Sequence, residues 1–222
     1  MKRNLFIPII LLFVLSLPLS SEEVFTISTS YQNLLSNSRG TGMLDKILTE
    51  ALKRTGRRAE IVYTSTEQSL ADVNAGIYDA EINRIAGMES QYPNLRQVPE
   101  PNMTMEFVAF AKRPLVVNGW ESIRDLDLGI VRGWVILEEE TRDFPYVVTV
   151  PTEKELFTML DRDRIDIALY ARRTGYTALM NLGISGAAHL EPPLAEREMY
   201  LYVHKRHEKI IGEIARALRE MK

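Results

Sequence analysis

Cysteine is absent from this 222-residue sequence, and histidine occurs only three times. The lack of cysteine excludes disulfides, thiolate nucleophiles, cysteine-held metals and a lipid-modified cysteine. His204 and His207 form an H-x-x-H pair without a third metal ligand, so we expect both to be solvated. The sequence also has no G-x-S-x-G turn, no phosphate-binding loop and no G-x-G-x-x-G turn. We therefore expect no metal, no resident cofactor and no catalytic residues.

An excess of positive charge is also absent. The formal net charge is −3, and it becomes −5 without Lys2 and Arg3. A mildly acidic chain argues against nucleic acid and anionic lipid as partners. Roughly 200 residues remain beyond the first segment, which is enough for one large domain or two small ones.

Long apolar runs are missing except at the start of the chain. Leu5 to Leu19 is almost wholly apolar, is interrupted by two prolines and follows Lys2 and Arg3. As a helix this run rises about 22 Å, less than the roughly 30 Å of a bilayer core. The pattern predicts a signal peptide over residues 1–21, with an uncleaved membrane anchor as the alternative. A cleaved signal implies a periplasmic or otherwise extracytoplasmic protein.

The rest of the sequence alternates short apolar segments with amphipathic helical segments. This alternation predicts an α/β fold in which mostly parallel sheets are flanked by helices. The order strand, helix, strand, capped helix, strand occurs twice, which predicts two similar lobes. The predicted capping boxes are Ser65 with Gln68 and Thr152 with Glu155, and the predicted strands of the second half and of the return include Leu128–Val131, Val147–Val150 and Met199–Val203. In each half an aspartate lies just after a turn at the third strand, Asp79 in the first and Asp166 in the second. We expect both to accept turn or helix-end hydrogen bonds.

Proline and glycine indicate where the chain passes between the lobes. We predict a first lobe from residues 22–111 and 197–222 and a second lobe from residues 112–196. The hinge crossings are expected near 110–118, which contains Pro114, and near 189–197, which contains Pro192 and Pro193. The closing helix, from Ile210 to Met221, should then pack on the first lobe.

Ligands of open parallel sheets bind beyond the carboxyl ends of the strands, so two facing lobes place these ends around one cleft. Arg84 ends a strand where its guanidinium could hold a carboxylate or phosphate, although pairing with Glu81 or Glu89 is the alternative. Gly133 permits close backbone approach before a helix, and Trp134 could stack on a planar ligand or pack between the lobes. The other candidates lie near the same strand ends: Tyr31, Glu67, Asn83, Arg132 and Tyr170.

Several stretches carry a family resemblance: Gly42 with Asp45, residues 76–80, residues 123–126 leading to 129–133, and residues 160–166. With these motifs in this order over roughly residues 24–221, the chain resembles the family 3 extracellular solute-binding proteins of bacterial uptake systems. These are periplasmic binding proteins of type 2. The resemblance implies two lobes that close on a solute about a hinge, and delivery of the solute to a membrane permease. Some members of the family serve as sensors instead. We expect this protein to be a monomer.

The sequence departs from the amino-acid-binding members of that family at both ends of their ligand clamp. Those members follow the third strand with a Ser/Thr-x-x-Arg pattern, whose arginine holds the ligand carboxylate, and Gln91 occupies that position here. They often use an acid in the second lobe for the ligand ammonium, where this chain has about Ala171. The chain is closer to a branch with an Asp-Gly-Glu-x-x-Arg-like signature, here residues 79–84.

These patterns predict an exported, non-catalytic protein that captures a small metabolite for a membrane transporter, with an anionic group expected from Arg84. A ligand-sensing module for a membrane receptor is the alternative on the same fold. A third hypothesis is an enzyme, because dehydratases acting on small carboxylic acids resemble this family. Glu67 and Glu81 are the acid–base residues that such an enzyme would use.

Overall fold

The computed structural model describes residues 23–221, apart from the side chains of Glu23 and Glu67. The predicted signal peptide lies outside the described residues. Short 3-10 helices lie at Met88–Ser90, Trp120–Ile123 and Lys205–Ile210. The strands and α-helices are, in chain order, β1 (Glu23–Thr29), α1 (Met43–Arg54), β2 (Arg57–Tyr63), α2 (Thr66–Asn74), β3 (Ala80–Arg84), β4 (Leu95–Gln97), β5 (Met103–Ala111), β6 (Leu128–Val131), α3 (Val135–Glu140), β7 (Val147–Val150), α4 (Glu153–Asp161), β8 (Ile167–Ala171), α5 (Arg172–Leu182), β9 (Ala188–His189), β10 (Ala195–His204) and α6 (Ile211–Arg219).

Side-chain caps begin two of the helices where the sequence predicts them. The Ser65 hydroxyl accepts a hydrogen bond from the backbone N–H of Gln68 at 3.2 Å and begins α2. The Thr152 hydroxyl accepts from the N–H of Glu155 at 3.2 Å and begins α4. Each bond satisfies one of the backbone donors that have no partner inside the first helical turn.

The start of α1 is held by Gly42 and Asp45. The Asp45 carboxylate is fully buried and accepts hydrogen bonds from Gly42 N at 2.7 Å and from Ser36 Oγ at 2.5 Å. A Cβ on Gly42 would lie 2.4 Å from the carbonyl oxygen of Leu35, so only glycine fits at this position. The two residues thereby fix the loop between β1 and α1, which carries Tyr31 into the interlobe region.

The strands form one path in the order β2-β1-β3-β10-β5-β8-β6-β7, with β4 on β10 and β9 on β5. In the first lobe β1 pairs in parallel with β2 and β3, and in the second lobe β6 pairs in parallel with β7 and β8. The pairs made by β5 and β10 are antiparallel. Each lobe thus has the predicted parallel core, extended by antiparallel strands that join the two sheets.

Strand β10 belongs to both lobes. Its first half, Ala195 to Met199, pairs with β5, and Tyr200 to His204 pairs with β3 and β4. Strand β5 pairs with β8, so it lies in the second lobe although residues up to 111 were predicted in the first. The lobe boundaries stay a prediction. The strand pairing favours hinge crossings near Asn102 and Tyr200, which form part of the proposed function.

Asp79 and Asp166 make the same contact in the two lobes. Asp79 Oδ2 accepts from Thr26 N at 2.8 Å, and Asp166 Oδ2 accepts from Asp127 N at 3.2 Å. The aspartate N–H groups donate to the carbonyls of the same two residues, at 3.0 Å and 2.8 Å. Both aspartates accept hydrogen bonds, but the donors lie 53 and 39 residues away, in or beside a neighbouring strand and not at the turn or helix end that the sequence predicts. The two contacts occupy equivalent positions in two similar halves.

The carboxyl-terminal segment packs on the first lobe, as predicted, through contact between α6 and α1. The expectation that His207 is solvated is wrong. Its ring packs on Phe25 with centroids 4.7 Å apart, and its Nε2 lies 2.6 Å from Asp79 Oδ1. A buried aspartate with a favourable partner draws the imidazole out of solvent, which local sequence spacing does not indicate.

Candidate functional site

The carboxyl ends of the parallel strands meet at a cleft between the lobes, where the strand-end rule predicts it. We call its narrow part, of 40 Å³, the inner pocket, and it is lined by Asn83, Arg84, Met88, Met105, Phe107 and Met199 among others. The adjoining outer chamber, of 410 Å³, includes Tyr63, Thr66, Pro151, Glu153, Lys154 and Tyr170. Ser30, Tyr31 and Trp134 line both spaces.

Arg84 ends β3 at the inner pocket, and it also pairs with an acid. Its Nη2 lies 3.0 Å from Glu81 Oε1 and donates to the backbone carbonyl of Thr66 at 3.2 Å. The residue is only 9% exposed. Of the two alternatives considered for this arginine, the structure shows the pairing with Glu81, and it also places Arg84 at the pocket lining. The positive charge of Arg84 is therefore already compensated within the protein.

Asn83 precedes Arg84 on the same strand and is buried. Its Nδ2 lies 3.4 Å from the Tyr31 hydroxyl. Asn83 Oδ1 and Arg84 Nε belong to the few buried side-chain polar atoms of the described residues that have no hydrogen-bond partner. Burial raises the pKa of Tyr31, and the nearby Arg84 charge offsets part of the rise, so the phenol is neutral at pH 7. The first-lobe wall therefore presents an amide, a guanidinium and a neutral phenol.

Trp134 forms the facing wall from the second lobe, directly before α3. It stacks on Tyr170 with ring centroids 4.3 Å apart and meets Phe107 edge-on at 6.0 Å. Its ring therefore packs within the second lobe and lines the cleft at once. Offset stacking and edge contacts of this kind hold an aromatic ring in a fixed orientation.

The turn before Trp134 has a different role from the one expected for it. The backbone N–H of Gly133 donates to Glu138 Oε1 at 2.7 Å, so this amide is already engaged within the protein. Gly133 has a positive φ of 79°, a conformation that glycine adopts without strain. Arg132 is exposed and is absent from the lining of the inner pocket and of the outer chamber.

Glu153 is a cleft residue that the sequence analysis does not identify. It is the first residue of α4, and its Oε2 accepts a 2.5 Å hydrogen bond from the Tyr170 hydroxyl. Burial raises the pKa of Glu153, and hydrogen bonds from Tyr170 and from the Asn33 side chain offset part of that rise. Burial and the Glu153 carboxylate raise the pKa of Tyr170 well above its ordinary value. Asn33 belongs to the first lobe, so these contacts span the cleft.

Neither a protein-family model nor a curated protein sequence matches the chain. Solved structures do match it. A histidine kinase sensor domain with similarity to periplasmic binding proteins aligns at a TM-score of 0.77, with 14% identity over 90% of each chain. The arginine-bound form of ArgBP from T. maritima aligns at 0.74, with 16% identity over 90% of this chain and 96% of that one. The BvgS VFT2 domain of Bordetella pertussis aligns at 0.69, with 16% identity over 90% and 88%.

This chain has the two-lobed fold of the periplasmic binding proteins. The fold predicted from the sequence is thereby confirmed, and the matched proteins are binding and sensor proteins. At 14–16% identity the likeness extends to the fold, and the ligand of each matched protein is its own.

The positions of the amino-acid clamp lie outside this cleft. Gln91 is exposed after a 3-10 helix, and Ala171 is buried at the end of β8. Neither residue lines the inner pocket or the outer chamber. The side chain of Glu67, the other predicted cleft acid, lies outside the described part of the structure.

Glu81 does not reach the cleft lining either. It is 1% exposed, and its carboxylate accepts from Asn83 N at 2.9 Å and from Ser69 Oγ at 3.3 Å besides pairing with Arg84.

Within residues 23–221, no group of three or more His, Asp or Glu side chains could hold a metal ion. No helix in the same range is long and apolar enough to cross a membrane.

Proposed function

We propose that this protein binds a small organic solute in the cleft between its lobes and does not transform it. One observation carries the proposal. Asn83 and Arg84 of the first lobe and Trp134 of the second line a single pocket. Two buried polar atoms of these lining residues, Asn83 Oδ1 and Arg84 Nε, have no hydrogen-bond partner among the described residues. A buried polar atom without a partner costs about 1–3 kcal/mol, which a ligand with matching groups would recover.

The walls of the inner pocket favour an organic ligand with an apolar part. Met88, Met105 and Met199 line the pocket together with Phe107. Methionine side chains are flexible and polarisable, so they adapt to ligand shape better than branched side chains do. A pocket of this composition, with a few polar groups, is typical of small-molecule sites.

Strand pairing supports a hinge between the lobes. The chain passes from one sheet to the other within β10 and just before β5, and two crossing strands permit one lobe to rotate against the other. Closure about these crossings would bring Trp134 toward Asn83 and exclude water from the solute. In this proposal the crossings lie near residues 102 and 200, rather than near 110–118 and 189–197.

The sequence suggests an anionic solute because of Arg84, but the pairing of Arg84 with Glu81 weakens that inference. An anionic ligand would have to compete with Glu81, whose Oε1 lies 3.0 Å from Arg84 Nη2. The proposal therefore assigns to Arg84 and Asn83 the recognition of a polar group, whatever its charge.

Native mass spectrometry of the purified protein tests the proposal by detecting a solute that co-purifies with it. A thermal-shift screen then confirms the ligand, because a solute at about 100 times its Kd stabilises the folded state by about 2.7 kcal/mol. For a chain of this size that corresponds to a Tm rise of roughly 5–11 °C. The absence of any saturable small-molecule ligand in both measurements would contradict the proposal.

Variants then place the solute in the cleft. Arg84→Ala and Trp134→Ala should each weaken its binding roughly tenfold or more, the effect of losing one charged or aromatic contact. Arg142→Ala serves as the matched control, because Arg142 is an exposed arginine outside the lining of either space. Arg132→Ala shows separately whether Arg132 contributes, as its sequence position suggests. Wild-type affinity in both Arg84→Ala and Trp134→Ala would place the ligand elsewhere.

The solute-binding protein is proposed to act outside the cytoplasm and to deliver its ligand to a membrane transporter. Uptake of the labelled ligand should then fall when the gene is deleted. A sensory role is the second candidate, since a histidine kinase sensor domain shares this fold at a TM-score of 0.77. In that case deletion would leave uptake unchanged and abolish a response to the ligand. An unchanged ligand mass after prolonged incubation separates either role from a dehydratase, whose reaction removes water from the ligand.

A further inference from the structure

The proposed function assigns no role in solute recognition to the cleft residue Glu153. It lies on the second lobe, at the first position of α4, and lines the outer chamber. Its carboxylate receives a hydrogen bond from Tyr170 at 2.5 Å. A carboxylate has about four acceptor positions, so one phenol and one amide leave capacity for a further donor. A partly buried carboxylate in a binding cleft is costly unless a positive group compensates it.

The positive side chains that line the cleft do not provide that compensation. Arg84 is paired with Glu81 at 3.0 Å, on the opposite lobe. Lys154 lines the outer chamber beside Glu153, but it is exposed, and adjacent residues on a helix point in different directions. The fixed charges facing the chamber from both lobes therefore leave a negative centre at Glu153.

Aromatic rings surround the same space. Tyr31 and Tyr63 of the first lobe and Trp134 and Tyr170 of the second all line the outer chamber. The faces of such rings attract an organic cation, most strongly where water is excluded. A carboxylate within a chamber of four aromatic side chains is therefore chemically suited to an ammonium or guanidinium group.

We propose that the outer chamber recognises the positively charged amine or guanidine group of the solute, with Glu153 as its counter-charge and the aromatic side chains as its walls. This inference rests on the proposed function and names the chemical class of the ligand. The apolar part of such a ligand would extend past Trp134 into the methionine-lined inner pocket, which adjoins the outer chamber. The Tyr170 hydroxyl orients the Glu153 carboxylate and is a positioning group.

Four probes of equal chain length test the proposal: n-butylammonium, n-butylguanidinium, n-butanol and butanoate. Binding of each to the mature protein is measured by thermal shift and calorimetry. We expect saturable binding of the two cations, at least roughly tenfold tighter than that of butanol, because a charge-assisted contact has that strength. Butanoate should bind more weakly than butanol, because it faces the Glu153 charge.

Glu153→Gln keeps the shape of the side chain and removes its charge, so it should abolish the preference for the cations over butanol. Glu155→Gln is the control, since Glu155 lies two residues further along the same helix and is exposed. Because a cleft variant can also perturb folding, Tyr63→Leu provides a second test. Tyr63 is 50% exposed, and its loss should weaken cation binding about two- to fivefold without affecting butanol.

The outcomes separate this inference from the proposed function. If neither cation binds the wild-type protein more tightly than butanol does, or if Glu153→Gln retains the preference, the inference is wrong. A co-purified solute that is neutral or anionic would refute the inference and leave the proposed function intact. If no saturable ligand is found by mass spectrometry or with any probe, both are refuted.

Discussion

Asp79 ties together three segments of the first lobe that are far apart in sequence. Its carboxylate accepts hydrogen bonds from Thr26 N at 2.8 Å and Thr26 Oγ at 2.7 Å, and it lies 2.6 Å from His207 Nε2. Arg206 also pairs with it. The residue is 8% exposed. Replacing it with asparagine keeps the size of the side chain and removes the charge, so Asp79→Asn isolates the contribution of the carboxylate.

The expected loss of unfolding free energy is about 3 kcal/mol. A hydrogen bond to a charged group contributes about 1.5–3 kcal/mol, and the contacts with Thr26 and His207 are shielded from solvent. The pair with Arg206 adds little, because the Arg206 side chain is 42% exposed and its charge is screened. A loss of this size lowers the Tm by roughly 6–12 °C in a chain of about 200 residues.

The second lobe supplies a matched control. Asp166 occupies the equivalent position and accepts from Asp127 N, but its side chain is 28% exposed and its partner Arg113 is 62% exposed. Asp166→Asn should therefore cost only about 1 kcal/mol. Urea denaturation followed by tryptophan fluorescence measures both variants. A loss below about 1 kcal/mol for Asp79→Asn, or one no larger than that of Asp166→Asn, would refute the argument.

The pH dependence of stability provides an independent check. Burial alone would raise the pKa of Asp79, but hydrogen bonds from His207, Thr26 and Arg206 hold it below its ordinary value of 3.8. A carboxyl whose pKa is lowered in the folded state stabilises the protein above its unfolded pKa, and this contribution is lost as pH falls. Wild type should therefore lose stability from about pH 5 downward. The Asp79→Asn variant should show a smaller slope, and an unchanged slope would count against the carboxylate as the source.

Three further predictions concern packing, a buried phenol and the cleft. Gly175→Ala should lower the unfolding free energy by about 2 kcal/mol, because the new Cβ would lie 2.4 Å from the Phe110 ring. Gly212→Ala should raise it by about 0.5–1 kcal/mol, because a Cβ there meets nothing within 4 Å. Urea denaturation measures both variants, and the opposite ranking would refute the packing argument. Burial raises the pKa of Tyr202 to about 12, so stability should be full below about pH 10 and fall as pH rises toward that value, with a smaller decline in Tyr202→Phe. Ligand binding should change the fluorescence of Trp134, and a Trp134→Phe variant with the same spectral change would place the signal elsewhere.

Secondary structure followed closely from local sequence. The strands Leu128–Val131 and Val147–Val150 lie where the apolar segments predict them, and the caps at Ser65 and Thr152 form as expected. These features depend on residues within a few positions of each other. Strand β10 spans Ala195–His204, which is longer than the predicted Met199 to Val203. Its first half is polar, so local hydrophobicity does not indicate a strand there, and pairing with β5 forms it.

The location of the cleft was also predictable, although its chemistry was only partly so. The carboxyl ends of parallel strands meet at one edge of a sheet, so the sequence alone predicts that Tyr31, Arg84 and Trp134 lie close together. Pairing of Arg84 with an acid, either Glu81 or Glu89, is one of two alternatives that the sequence leaves open. Residues three apart on a regular strand face opposite ways, so strand spacing alone does not predict the 3.0 Å contact of Arg84 with Glu81. Glu153 was missed because its sequence position indicates only the first turn of a capped helix.

Periodicity and short-range hydrogen bonding are enough to predict the two lobes, the capped starts of the helices and the strand ends. The partners of Asp79 and Asp166 lie 53 and 39 residues away, so these contacts depend on the order of strands in the sheet. The strands that cross between the lobes and the charged side chains that pair with each other depend on long-range contacts in the folded protein. Arg84 and Glu81 neutralise each other in one lobe, while the Glu153 carboxylate receives hydrogen bonds from Tyr170 of its own lobe and from Asn33 of the other. Such pairings depend on the order of strands in the sheet and on burial, and neither can be predicted from the spacing of residues along the chain.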